Sequence, residues 1–392
     1  MKSKHAKSPF DEVINRVDSN CEKWDDRLSI FGRKDVLPLW VADTDFQTPK
    51  FIVDAVKKRA DHEVYGYPMI PTSFYDSIRL WMEQQHGWNI QQDWISYAPN
   101  VVVALASLVL SLTLPGDKII VQPPVYFPFF HVVGGNGRIV TENPLIQKGG
   151  KYVIDFDDLE KKIDDRTRML LLCNPHNPGG RVWSKEELTE LGRICFRHSI
   201  LIVSDEIHSD LTLPGYRHTP FGSIGEEYLQ NSITVSSASK TFNMAGLSSA
   251  YVIVPNEKAH RRYKELMKAT HISSGNFFGL VATEAAYREG HEWLQELRLY
   301  LDGNARFVAS FLSERMPRVK LMKPESTFLL WIDLSGLGLK PEDAFQRLVQ
   351  AGLGLSPGWL FGTGGEAFVR MNIGCPRSLL GQALVLFEKA FS

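Results

Sequence analysis

Cysteine is scarce in this chain, net charge is nearly absent, and no apolar run is long, and each shortage closes off a class of function. The four cysteines, Cys21, Cys173, Cys195 and Cys375, are scattered through 392 residues with neither CxxC nor zinc-ligand spacing. A disulfide framework and a metal site are therefore not expected, and the thiols read as reduced and mostly buried. Lys and Arg total 44 against 45 Asp and Glu, which gives no electrostatic pull toward nucleic acid or an anionic membrane. The stretch 101–114 is apolar nearly all round, but Pro115, Gly116 and Asp117 end it short of membrane-spanning length. The amino terminus, Met1-Lys2-Ser3-Lys4-His5, is charged and no apolar signal segment follows, so a cytoplasmic protein is the expectation. No repeat, low-complexity tract or long linker divides the chain.

What the chain does have is a series of short apolar runs that end in polar turns. Lys118-Ile119-Ile120-Val121, Met169-Leu170-Leu171-Leu172, Leu201-Ile202-Val203-Ser204 and Ile233-Thr234-Val235-Ser236 suit strands buried on both faces of a parallel sheet. Ser184 and Glu187 form a capping box ahead of the apolar stripe Leu188, Leu191, Ile194 and Cys195, which predicts a helix between two of them. Strand and helix patterns alternate from about Phe51 to about Tyr287, the signature of an α/β domain; after Glu289 the pattern becomes α+β. In such sheets ligands bind beyond the carboxyl ends of the strands. Asn177, Asp205 and Lys240 all fall on that edge.

Their chemistry points one way. Lys240 stands in Ser237-Ala238-Ser239-Lys240-Thr241-Phe242-Asn243-Met244-Ala245-Gly246, just past a strand. An isolated Ser-x-Ser-Lys is more often a surface turn, but a lysine so placed holds an aldehyde cofactor as an imine when the other parts of a pyridoxal phosphate (PLP) site accompany it. Asp205 supplies a carboxylate that keeps a pyridine nitrogen protonated. Asn177, in the turn Asn174-Pro175-His176-Asn177-Pro178-Gly179-Gly180, offers an amide donor for the phenolate oxygen. Asn100 reads as the N-cap of a helix whose first amides, Val101 and Val102, would face a phosphate. Tyr126 in Pro123-Pro124-Val125-Tyr126-Phe127 would stack on the ring. Arg370 suits the substrate α-carboxylate, because a planar guanidinium makes paired, charge-assisted bonds to such a group. The glycine-rich Gly362-Thr363-Gly364-Gly365 lacks the strand and helix a nucleotide loop requires.

These motifs, in this order and spanning nearly the whole chain, resemble the fold type I PLP enzymes of the aspartate aminotransferase superfamily. A narrower resemblance is to the cystathionine β-lyase-like C–S lyases, the maltose-regulon-modulator type included. It rests on Leu39-Trp40-Val41-Ala42-Asp43-Thr44-Asp45-Phe46, Gln122-Pro123-Pro124-Val125-Tyr126, Asp205-Glu206-Ile207-His208-Ser209-Asp210-Leu211 and Arg370-Met371-Asn372-Ile373-Gly374-Cys375. Aminotransferases of this fold carry an arginine eight residues after the lysine, where this chain has Ser248, and often a tyrosine three after the aspartate, where it has His208. Thr44 replaces the methionine usual in the lyase branch.

The resemblance implies a large PLP-binding α/β domain over 48–288, with a mainly parallel sheet between helices, and a smaller α+β domain built from 1–47 and 289–392. It adds His208, Ser237 and Ser239 to the cofactor site, Tyr65 from a second subunit of a homodimer, and Ala42 and Asn177 beside Arg370 at the substrate. Lys240 and Asp205, with Tyr126, would be catalytic. The implied reaction is β-elimination from cystathionine, cysteine or another S-substituted cysteine, giving a thiol, pyruvate and ammonia. The PLP constellation alone does not separate this from transamination. Some members of the branch regulate transcription through contact with an activator protein, so a PLP-binding regulatory role is a further alternative.

Overall fold

A computed structural model describes residues 8–392; the charged Met1–His5 lies outside them. Seven strands form the main sheet: β1 (Ile95–Ala98), β2 (Lys118–Val121), β3 (Ile139–Glu142), β4 (Thr167–Cys173), β5 (Leu201–Asp205), β6 (Ser232–Ser236) and β7 (Ala250–Ile253). Their order is β1-β7-β6-β5-β4-β2-β3, with β2 to β6 parallel and β7 antiparallel to both its neighbours. The apolar runs become central strands because helices cover both faces: Met169, Leu171, Val203, Ile233 and Val235 belong to one buried cluster, and Leu170, Leu172 and Ile202 to another.

Helix α1 (Thr72–His86) packs among the layers beside the sheet. Helix α2 (Val101–Leu112) starts as expected, Asn100 accepting the Val103 amide at 2.8 Å. The capping box opens α3 (Lys185–Arg197), Ser184 and Glu187 each bonding the other's backbone amide. Gly290 separates α4 (Phe277–Glu289) from α5 (His291–Arg315); a Cβ there would lie 2.3 Å from the Ala286 carbonyl and 2.4 Å from the Phe242 ring. No helix among the described residues is long and apolar enough to cross a membrane.

A second, antiparallel sheet holds β8 (Lys320–Leu321), β9 (Leu329–Asp333), β10 (Ser356–Pro357) and β11 (Phe368–Asn372), in the order β8-β9-β11-β10. The amino-terminal segment is tied to this part of the chain. Leu37–Pro38 pairs in parallel with Leu353–Gly354, the Asn372 amide donates to the Leu39 carbonyl at 2.9 Å, and the Asp45 amide donates to Gly374 at 2.7 Å.

Segment 41–46 is then fixed by charge. Buried Asp45 accepts from Arg16 at 2.7 Å, Lys23 at 2.6 Å and the Trp24 indole at 2.9 Å, while Arg16 also pairs with Asp43 at 2.6 Å. Burial alone would raise the Asp45 carboxyl; Lys23, Trp24 and Arg16 hold it below the usual range. Removing one partner of a buried pair strands the other's charge, so Asp45→Ala is expected to cost about 3–5 kcal/mol, read as a drop in the urea unfolding midpoint. An unchanged midpoint would show that the cluster carries no stability.

Candidate active site

The parallel register brings the strand ends together. Cys173 at the end of β4 stands opposite Asp205 at the end of β5, and Asp205 stands opposite Val235 near the end of β6. Turns just past these ends carry Asn177 and Lys240, so the three residues picked from sequence meet at one sheet edge, where ligands of open α/β sheets bind. A cavity of about 180 Å³ lies there. Its walls include Val101, Val102, Tyr126, Asn177, Asp205 and Lys240, and they also take in Ala42, His208, Ser237 and Ser239.

Burial sets the electrostatics of each ionisable group. Asp205 is raised to about 7 by desolvation, with Glu206 adding to the rise; the Ile207 amide, 3.1 Å away, and Lys240 oppose it. Desolvation lowers the Lys240 amine, and Arg370 adds to that, against Asp43 and Asp205. Its Nζ donates to the Ala42 carbonyl at 2.6 Å. His208 falls to about 3, through burial and then the nearby Lys240 and Arg370, and is neutral at pH 7. Its Nδ1 is buried without a partner. Burial raises the Cys173 thiol, whose sulfur accepts the Asn177 amide at 3.3 Å; this is a packing cysteine and not a thiolate nucleophile.

Arg370 enters from β11. Burial pulls its guanidinium down to about 10, and its protein partners are all uncharged: Asn177 Oδ1 at 3.1 Å, the Trp40 carbonyl at 2.8 Å and Ser356 Oγ at 3.3 Å. The Phe361 ring lies 4.9 Å from its Cζ, and its buried Nε has no acceptor. A desolvated cation without a carboxylate gains strongly from an anionic ligand. Arg370 and Ser356 line a wider cleft of about 580 Å³ that shares Ala42, Tyr126 and Lys240 with the first cavity.

The residues present fit PLP by their donor chemistry. A deprotonation-prone amine shares the cavity with a carboxyl whose anion is destabilised by burial, which is the group a pyridinium would stabilise. Asn177 spends its Oδ1 on Arg370 and keeps its Nδ2 donors. The Asn100 side chain caps Val103, so the Val101 and Val102 amides, having no intrahelical acceptor, are left for an anion.

Ser237 and Tyr65 each have a hydrogen-bond partner within the chain. The Ser237 hydroxyl donates to the Ser249 carbonyl at 2.6 Å and accepts the Ser239 amide at 3.0 Å, so it braces the lysine loop. Tyr65 is exposed and outside this chain's cavity, its hydroxyl donating to Ala60 at 2.6 Å beside Phe278 and Arg59. Asn243 and Asn372 carry no individual signal in the sequence. Asn243 donates to the Thr44 and Phe46 carbonyls at 3.0 and 2.8 Å; Asn372 donates to Val41 at 2.7 Å and Asp43 at 2.5 Å. Both lie inside motifs that were legible, and that was their only signal.

Residues 34–385 match the family described as aminotransferase class I and II. The chain is 42% identical over 385 residues to cystathionine beta-lyase PatB of Bacillus subtilis (strain 168), covering 98% of this chain and 100% of that protein. Among solved structures, a PLP-bound protein of Clostridium difficile 630, assigned provisionally as an aminotransferase, superposes with a TM-score of 0.96 at 42% identity, covering 98% of this chain and 99% of that one. The PLP-bound C-S lyase of Staphylococcus hominis superposes with a TM-score of 0.92 at 32% identity, covering 99% of each chain. The chain belongs to the aminotransferase class I and II family.

Proposed function

We propose that the chain is a PLP-dependent C–S β-lyase that releases a thiol, pyruvate and ammonia from cystathionine, cysteine or other S-substituted cysteines. The observation that carries this reading is buried Arg370, a guanidinium with only uncharged partners, in a cleft that shares Lys240 with the cavity. Similarity to a protein named cystathionine beta-lyase selects elimination over transamination.

Lys240 would hold the cofactor's aldehyde, Asp205 its ring nitrogen and Asn177 Nδ2 its phenolic oxygen, with Tyr126 against the ring face and His208 nearby. The Val101 and Val102 amides and Ser239 would hold the phosphate, with Ser237 bracing the loop. Bound PLP supplies an aldehyde carbon that condenses with amines and a ring that takes up the electron pair left at the substrate Cα. Arg370 orients the substrate by its α-carboxylate, assisted by the Ala42 segment. Once the substrate amine has replaced it at the aldehyde carbon, the freed Lys240 amine, biased toward its neutral form by burial, would take the Cα proton. The Cβ–S bond then breaks, its electron pair leaving with sulfur, which takes up a proton as the thiol, and water hydrolyses the remaining aminoacrylate to pyruvate and ammonia.

Purified protein loaded with PLP tests the reading. With cystathionine or S-alkyl cysteine, thiol and pyruvate are expected in equal amounts without added keto acid, and Lys240→Ala should abolish both. Amino transfer dependent on a keto acid, with no thiol released, would replace the reading with an aminotransferase.

The reading extends to a homodimer with shared sites. Val64, Tyr65, Tyr67 and Met69 form an exposed apolar loop, which a second copy would cover, bringing Tyr65 to the phosphate of the opposite site. Tyr65→Phe should weaken PLP retention by about 1.5–3 kcal/mol, the worth of a hydrogen bond to a charged acceptor. Mixing Tyr65→Phe chains with inactive Lys240→Ala chains is expected to yield heterodimers with one unaltered site, so specific activity per Lys240-bearing chain should rise above that of Tyr65→Phe alone. No rise despite proven subunit exchange would refute sharing.

A further inference from the structure

Two buried carboxylates adjoin the proposed catalytic pair, and the reading above uses neither. Glu206 follows Asp205 and is filled by Ser204 Oγ at 2.8 Å, the Phe221 amide at 2.9 Å and His218 Nε2 at 2.9 Å. Asp210 lies on the 3₁₀ turn Ser209–Leu211. Its Oδ1 meets Trp81 Nε1 at 3.0 Å and His86 Nε2 at 2.9 Å, both from α1, and its Oδ2 accepts from Thr241 Oγ1 at 2.8 Å. The His86 and His218 rings touch edge to face at 5.5 Å, so the two acids belong to one buried assembly.

A carboxylate this deep is expensive unless its oxygens are bonded. Asp210 has three donors, and neither it nor Thr241 lines the cavity. It therefore has no direct access to a ligand there, and the contact it does make is with the residue next to Lys240. Thr241 is β-branched and nearly rigid about χ1, so fixing its hydroxyl fixes its backbone and the point from which the lysine stem departs. Two residues further on, Asn243 is bonded to Thr44 and Phe46, and Thr48 Oγ1 donates back to the Asn243 carbonyl at 2.9 Å. On the other side Ser237 is bonded to Ser249. Thr241 is tied to α1 through Asp210, beside the packing of the Phe242 ring edge to face on Trp81 at 5.9 Å.

We propose that Asp210, acting through Thr241, is a positioning residue for Lys240, fastening the lysine turn to α1 so that the amine meets the cofactor aldehyde and the substrate Cα in place. The proposal rests on the assignment of Lys240 above. It explains why an acid is buried here at all: a neutral residue would leave Trp81, His86 and Thr241 with fewer acceptors.

The test compares Thr241→Val, which keeps shape and removes the hydroxyl, with Thr241→Ser, which keeps the hydroxyl. Thr241→Ala stands in if the valine protein does not fold. Three quantities are measured: the rate at which Lys240 becomes covalently labelled when PLP is added to apoprotein and trapped with borohydride, kcat and KM for thiol release, and the thermal unfolding midpoint. The valine variant is expected to lose about 10- to 100-fold in both labelling rate and kcat, the scale of a misplaced reacting group, with little change in KM. Serine should restore both to within a few-fold. Wild-type labelling and kcat in the valine variant would overturn the clamp. So would equal losses in valine and serine variants that track their unfolding midpoints, since that is the behaviour of a merely structural bond. Wild-type protein that takes up no PLP on Lys240 would instead refute the underlying assignment, and the clamp with it.

Discussion

The constraint on which this site depends is that three ionisable groups, buried Asp205 and Arg370 and half-buried Lys240, stand around one cavity and its adjoining cleft without being neutralised by an ion pair. Each is shifted toward its uncharged form by burial: the lysine downward, the carboxyl up to about 7, the guanidinium down to about 10. A protein does not hold such groups for stability, since filling the space with apolar side chains would serve as well or better. Their arrangement makes sense when a ligand brings the missing charges: a protonated ring nitrogen for Asp205 and a carboxylate for Arg370.

The surroundings show the opposite solution to the same problem. Arg16, Lys23, Asp43 and Asp45 form a closed set of opposite charges. That set, with Asn243 and Asn372, holds the segment whose Ala42 carbonyl meets the Lys240 amine. Charge is satisfied where the chain must be rigid and left unsatisfied where a ligand binds. The same contrast separates the Asp210 carboxylate, with three donors, from the Asp205 carboxylate, which accepts from the Ile207 amide alone among the described residues.

Much of this was legible in the sequence because the strands are buried on both faces, so their ends stand out as abrupt changes from apolar runs to turn residues. That change places Lys240, Asp205 and Asn177 at one sheet edge, and capping chemistry marks the helix starts at Asn100 and Ser184. Direction was harder to read: nothing in Ala250–Ile253 announces that β7 runs antiparallel. Side-chain partners were harder still. His86 carried no sequence signal, because its partner Asp210 lies 124 residues away and the pair exists only after α1 packs. Resemblance puts Ser237 in the cofactor site, and nothing local indicates that the Ser249 carbonyl takes its hydroxyl.

The central claim is that buried Asp205 matters as an anion matched to a protonated ring nitrogen. The most direct measurement is the turnover of Asp205→Asn with its PLP content determined on the same sample. The account expects the variant to take up cofactor and to lose activity by orders of magnitude, because an amide does not keep the ring nitrogen protonated and the ring becomes a poorer electron sink. Near-normal thiol release from cofactor-loaded Asp205→Asn would contradict it.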